Sequence, residues 1–336
     1  MSIFHQKPKR NLPMKATNIC LAAILAAFGA DAALAQTQPW PVKPIRIIVP
    51  YAAGGATDQL ARVIGDAVGK ELKQGIVVDN KPGASGMIGG AACKSAAPDG
   101  YTFCLFINDV VTVNPAIFKK VPYKAETDFI PVAYIAELGG VLPVSASLPV
   151  ANLKDLVTYA KSHPDTTNWA SYGLGTTSHL VLELINKRLD SSITHVPYQG
   201  TPQMLTAVLT GEASATIAGY AQVQQYIDQK KMRAIATLGE KRLPQLPDVP
   251  TLAEQGIDFK ATIWFGMFAP TGMPTEYVKK MNDAINKAVV NPASVKLFDS
   301  ASFYAKPMSS TEFAGLVKRD TELWRNVVRQ ANISLD

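Results

Sequence analysis

The chain has 336 residues, 47% of them hydrophobic and 18% charged, a globular composition that excludes a disordered or fibrous chain. Its formal net charge is +6. Lys7, Lys9, Arg10, Lys15 and Asp31 all fall in the first 35 residues; without them the balance is +3 and no basic cluster remains, which excludes nucleic acid as a partner.

Those first residues carry an export pattern. A basic lead precedes "ICLAAILAAFGA", Ile19 to Ala30, an apolar core shorter than a bilayer span. "ALA" at Ala33–Ala35 is a small-x-small cleavage site. Residues 1–35 are therefore expected to be a cleaved signal peptide, starting at Met1 or at Met14. Cys20 follows Ile19 rather than the small residue of a lipoprotein site. No later segment has the apolar length of a membrane helix, so a soluble periplasmic protein is expected.

"PIRIIVPY" then reads as a buried strand, and Leu60, Val63, Ile64, Ala67, Val68 and Leu72 recur as one helix face. "GIVVDN" is a second strand, "KPGASGMIGGAACKSA" a small-residue loop running into a helix, and "APDGYTFCLF" a turn and third strand. Strand and helix alternate, which implies parallel pairing with right-handed crossovers. Cys93 and Cys104 sit on adjacent elements; they can bridge in an oxidising compartment or remain two buried thiols.

A second α/β unit begins near residue 140. Asn152 can cap a helix bearing Leu153, Leu156, Val157 and Ala160. "TNWASYG", "ITHVPY", "ASATIAG" and "KMRAIATLG" are strands; "LGTTSHLVLELINKRL" is a loop and helix, and "TPQMLTAVLTG" a helix stopped by Gly211. After a proline-rich connection come "ATIWFGMFAP" and two long helices, the last opened by the capping box "SSTE" at Ser309–Glu312. The tail is expected to return to the first unit. That predicts two lobes joined by two crossings: 36–140 plus 262–336 as lobe 1 and 141–261 as lobe 2, each a mainly parallel sheet flanked by helices with a ligand cleft between them.

Three small-residue loops precede helices: "YAAGGATD", "KPGASGMIGG" and "SYGLGTTSH". A helix N-terminus leaves amide N–H groups unpaired and carries partial positive charge, so a backbone bared by small residues can hold a carboxylate or other oxyanion without a basic side chain. Thr57, Thr176 and Thr177 can add hydroxyl donors. Asp58 would repel an anion; it suits bracing the loop or receiving a ligand's amino group. None of the loops has the spacing of a dinucleotide or triphosphate site, and no H-E-x-x-H, C-x-x-C or nucleophile elbow is present. Neither cofactor, metal nor catalysis is expected. His163, His179 and His195 are read as packed or hydrogen-bonded, and Trp264 and Phe265 as hinge packing.

"WPVKPIRIIVPYAAGGATDQLAR", "VVDNKPGASGMIGG", "APDGYTF", "THVPYQGTPQ", "LPDVPTLAEQG" and "WFGMFAPTGMP" together resemble the Bug family, the periplasmic solute receptors of tripartite tricarboxylate transporters. The resemblance runs from Trp40 to Asp336. It implies a type II periplasmic binding fold that closes on a small carboxylate, such as a di- or tricarboxylate or an aromatic acid, and hands it to integral-membrane transporter subunits; a monomer is expected. It maps the first binding loop onto Tyr51, Ala52, Ala53, Gly54, Gly55, Ala56, Thr57 and Asp58. The second-lobe loop falls on Gly173, Gly175, Thr176 and His179, and the cleft wall on Pro197, Tyr198 and Gly200. The segment around Asn108 and Asn114 would face the cleft. Two departures stand out: Ala53 replaces a proline common in relatives, and "INDVV" replaces a Gly/Ser-rich segment, narrowing or polarising the pocket. Two-point recognition by facing helix N-termini would suit a dicarboxylate. The alternatives are a sensor for a signalling receptor, and an enzyme on a similar two-lobed fold using His179 or Asp58.

Overall fold

The computed structural model describes residues 1–3, 40–259 and 262–331. Nearly all of the expected signal peptide therefore lies outside the described residues. Contacts divide the chain into Met1–Val42 and Lys43–Asp336, and two six-stranded sheets lie in the second unit.

The first sheet has the order β12-β4-β11-β3-β1-β2. β1 (Ile45–Val49), α1 (Ala56–Leu72), β2 (Ile76–Asn80), α2 (Met87–Lys94) and β3 (Thr102–Ile107) form the expected alternation. β1 pairs in parallel with both β2 and β3. β3 is buried throughout, as its unbroken apolar run requires. Cys93 on α2 and Cys104 on β3 are disulfide-bonded, with their Cα atoms 6.1 Å apart.

β4 (Phe129–Leu138) runs into β5 (Gly140–Ser145) across Gly139, carrying the chain into the second sheet, of order β10-β5-β8-β6-β7 with β9 beside β5. There α3 (Leu153–Ser162), β6 (Asn168–Ser171), α4 (Thr177–Arg188), β7 (Thr194–Pro197) and α5 (Thr201–Thr210) follow in turn. Asn152 caps α3 by accepting from the Asp155 amide at 2.9 Å. "ASATIAG" is broken at Ile217 into β8 (Ala215–Thr216) and β9 (Ala218–Gly219), before α6 (Tyr220–Asp228) and β10 (Met232–Thr237). The chain returns to the first sheet as β11 (Ile263–Pro270), then forms α7 (Thr275–Val290), α8 (Pro292–Ser300), β12 (Phe303–Ala305) and α9 (Ser310–Ala331).

The sheets are mixed, not mainly parallel. Strands joined through a helix pair in parallel, as β6 does with β7 and β8. The strands that carry the chain from sheet to sheet arrive without a helical crossover and pair antiparallel: β11 with β3 and β4, and β5 with β8, β9 and β10.

The tail covers the first sheet as expected, with α7 packed on β4 and α1, and α9 on β4. Phe313 and Trp324 on α9 are fully buried. Phe313 meets Phe268 and Trp264, with ring centroids 5.3 and 5.5 Å away. Each such ring contributes roughly 1.5–3 kcal/mol by burial. Ser309 and Glu312 form the capping box: the Ser309 amide donates to Glu312 Oε2 at 2.9 Å, and the Glu312 amide to Ser309 Oγ at 3.2 Å. Among the described residues no helix is long and apolar enough to cross a membrane.

Candidate ligand-binding cleft

The loop after β1 is held from behind by Asp58. Gly54 sits at φ +83°, a backbone that glycine adopts without Cβ strain, and its N–H donates to Asp58 Oδ2 at 2.9 Å. Arg62 donates Nε to Oδ2 at 3.0 Å and Nη2 to Oδ1 at 2.9 Å. Asn80, at the end of β2, donates Nδ2 to Asp58 Oδ1 at 3.1 Å and to the Tyr51 carbonyl at 3.0 Å. Burial pushes the Asp58 carboxyl up, but the bonds from Arg62, Gly54 and Asn80 outweigh it and hold the group below its ordinary range. Asp58 thus braces the loop. Among the described residues no hydrogen bond engages the first amides of α1, those of Ala56 and Thr57.

Those two residues line a cleft together with Ala52 and Gly55. Opposite them stand Gly200 and Thr201, where α5 begins. The two loops almost touch: a Cβ at Gly200 would lie 3.4 Å from the Ala52 Cβ, and one at Gly55 3.8 Å from the Thr201 hydroxyl. Ile107, Leu138, Ile263 and Phe265 supply an apolar wall from the first sheet, and Ile217 and Ala218 one from the second. Tyr51 and Tyr172 meet edge to face beside it, with centroids 6.1 Å apart. No charged side chain lines the cleft, whose lining includes the starts of three helices, α1, α5 and α6. About 40 Å³ is open to the centres of water molecules, room for about three of them.

The second glycine loop is engaged inside the protein. The Gly173 amide donates to Ser171 Oγ at 3.2 Å, Gly175 to His179 Nδ1 at 3.0 Å, and Thr176 to the Gly173 carbonyl at 3.4 Å. His179 Nε2 faces Glu183 at 3.4 Å, and its ring stacks on His195 at 3.9 Å. Burial, then the neighbouring His179, push the His195 imidazole down to about 4. Both histidines are thus engaged in packing and hydrogen bonding.

The amide of Thr177, first in α4, belongs to Asp109. This residue opens a π-type turn (Asp109–Val113) that follows β3 after Asn108, and is fully buried. Its Oδ2 accepts from the Thr177 amide and from the Tyr172 hydroxyl, each at 3.1 Å, and its Oδ1 accepts from Thr177 Oγ1 at 2.5 Å. A carboxylate reaching over from the first sheet therefore occupies a helix N-terminus of the second. Burial pushes it up to about 6, against the pull of the Thr177 and Tyr172 bonds.

Of the other expected residues, Ala53 is exposed, Asn108 is fully buried with neither amide atom hydrogen-bonded, and Tyr198 donates to Glu212 Oε1 at 2.8 Å outside the cleft lining. Gly173 and Tyr198 border a separate groove with Ser85, whose hydroxyl donates to the Leu174 carbonyl. Asp109, Tyr172, Thr201 and Ile217 were not singled out as site residues by sequence. The cue for Asp109 was the departure "INDVV", which sets an acid two residues beyond the apolar run of β3. Among the described residues no group of three or more His, Cys, Asp or Glu side chains is arranged for a metal.

A model of the tripartite tricarboxylate transporter family receptor matches residues 60–333. Protein BugT of Bordetella pertussis is 32% identical over 322 residues, covering 94% of this chain and 98% of its own. Rpa4515 of R. palustris, solved with adipate, superposes with a TM-score of 0.83 at 30% identity, over 88% of this chain and 99% of its own. MatC of Rhodopseudomonas palustris, solved with malate, gives 0.81 at 31% identity, over 86% and 100%.

Proposed function

The chain belongs to the tripartite tricarboxylate transporter receptor family, and from that premise we propose that it is an exported receptor that closes on a small organic carboxylate and delivers it to the membrane subunits of a tripartite transporter. The family consists of periplasmic solute-binding receptors, and the fold is that of periplasmic binding proteins. On this reading lobe 1 is 36–140 with 262–336, lobe 2 is 141–261, and the ligand is held in the cleft between them. The observation that carries the reading is the start of α1: Ala56 and Thr57, whose amides have no protein partners among the described residues, line an uncharged cleft opposite the start of α5. Each hydrogen bond from such an amide to a carboxylate contributes about 1.5–3 kcal/mol. Gly55, Thr57 and Tyr51 would touch the ligand, with Gly54 and Asp58 shaping their loop; Asn108 behind β3, and Gly173, Gly175, Thr176, Thr177, His179 and Tyr198 of the second lobe, would act only by supporting the cleft walls. The adipate and malate complexes of relatives support an organic acid as the guest. No catalytic step is assigned, since His179 and Asp58 are both occupied in holding loops.

The test is calorimetric titration with aliphatic and aromatic carboxylates and their amides. An acid is expected to bind with at least tenfold preference over its amide, and Thr57→Val to weaken it. Equal binding of acid and amide would refute the reading. Uptake of the bound acid in a deletion strain separates transport from sensing: a sensor alters expression and leaves uptake by the expressed transporter intact.

A further inference from the structure

Resting on the carboxylate reading, a narrower statement about the guest comes from the cleft's two ends. One end is the start of α1, with amides awaiting an acceptor. At the other, α4 begins one hydrogen bond behind the cleft wall, since Tyr172 lines the cleft and its hydroxyl donates to Asp109. The α4 terminus already holds a carboxylate of the chain itself, satisfied by the Thr177 amide, the Thr177 hydroxyl and the Tyr172 hydroxyl. A second acid, Asp320 on α9, reaches the same turn by accepting from Thr112 Oγ1 at 3.1 Å. Between the two ends the walls are mainly aliphatic and aromatic, with Thr201 and Gln222 the polar side chains among them.

We propose that Asp109 is a specificity-determining residue: it fills the α4 N-terminus in place of a ligand's second carboxylate, so that the cleft selects acids with one carboxylate and an apolar body. A diacid would set its distal charge near a buried carboxylate whose donors are already taken. A monoacid sets methylenes or a ring against Ile107, Ile217 and Phe265. Asp109 acts here through charge and occupancy and need not touch the guest.

The experiment is calorimetry at pH 7.5 on matched pairs: butyrate and succinate, hexanoate and adipate, benzoate and terephthalate. The wild type is expected to bind the monoacid at least fivefold tighter in any pair that binds. Asp109→Ser, which vacates the α4 terminus, should move that ratio at least fivefold toward the diacid. Asp109→Asn keeps the shape, removes the charge and should move it in the same direction; should the serine variant fail to fold, as judged by its melting transition, the asparagine variant decides alone. A wild type that prefers diacids, or a ratio moved by less than fivefold, overturns the role of Asp109 while leaving the carboxylate reading intact. Failure of every acid to bind overturns both.

Discussion

Replacing Asp109 by Asn should stabilise the protein at neutral pH and lose that advantage in acid. Burial raises the carboxyl from 3.8 to about 6, so the folded protein favours its protonated form. The sign follows from proton linkage: the folded state binds more protons than the unfolded state between those values, so stability contributed by this group is full below about pH 4 and lost as pH rises through 6. A shift of about 2 pH units corresponds to about 3 kcal/mol at pH 7.5. The amide avoids that loss. Its oxygen can accept from the Thr177 N–H and the Tyr172 hydroxyl, and its NH₂ can donate to Thr177 Oγ1. The groups facing Asp109 are Thr177 and Tyr172 from α4 and its loop, Tyr51 from the first loop, Tyr123 from the chain before β4, and Asp320 from α9. Asp320, itself pushed by burial to about 6, works in the same direction, whereas His195, pushed down to about 4, loses stability as pH falls. Wild type and variant must therefore be compared with each other at each pH, since Asp320 and His195 are common to both. Urea denaturation at pH 7.5 and 4.0 measures the difference. The variant should be more stable by about 3 kcal/mol at the higher pH and by less than about 1 kcal/mol at the lower. An equal gap at both values, or a less stable variant at pH 7.5, would refute the argument that this carboxylate is charged at a cost.

Asp58→Asn should lower stability by about 2–3 kcal/mol, because an amide cannot accept from Gly54, Arg62 and Asn80 together; a melting temperature unchanged beside a tenfold loss of ligand affinity would instead mark Asp58 as a ligand contact. Gly54→Ala should cost about 1–2 kcal/mol from backbone strain alone, since its Cβ would meet only Pro202 Cγ at 3.9 Å; thermal melting that shows no loss would mean the loop relaxes to another backbone. Gly266→Ala places a Cβ 2.1 Å from Phe313 Cζ beneath α9, and chemical denaturation should report a loss of about 1–3 kcal/mol; a neutral result would show that α9 can shift on β11.

What local sequence encodes, the fold reproduces. The Asn152 cap and the Ser309–Glu312 box need only residues three apart, and each forms as read. The alternation through β1, α1, β2, α2 and β3 is likewise local. β4 is not legible in sequence because "FIPVAYIAEL" is buried along most of its length and so lacks a periodicity of two, and because nothing in it announces an antiparallel neighbour. The brace on Gly54 was readable in part, since Asp58 and Arg62 lie one helical turn apart, but Asn80 joins them only once β1 and β2 pair. Asp109 depends on Thr177, 68 positions away, so no window of sequence contains both partners. The glycines of "SYGLGTTSH" look as exposed in sequence as those of "YAAGGATD". Only the fold shows Ser171, His179 and Asp109 already bonded to the amides of the former.

The Cys93–Cys104 bridge ties α2 to the strand that ends in Ile107 and leads into the turn bearing Asp109. Closing so short a loop is worth about 3 kcal/mol. On the export route proposed above, newly made chains in a reducing cytosol would lack this staple and unfold more readily, a state suited to threading through a translocon. Oxidation on the far side would then lock the scaffold, so that compartment chemistry, rather than synthesis, would time its final maturation.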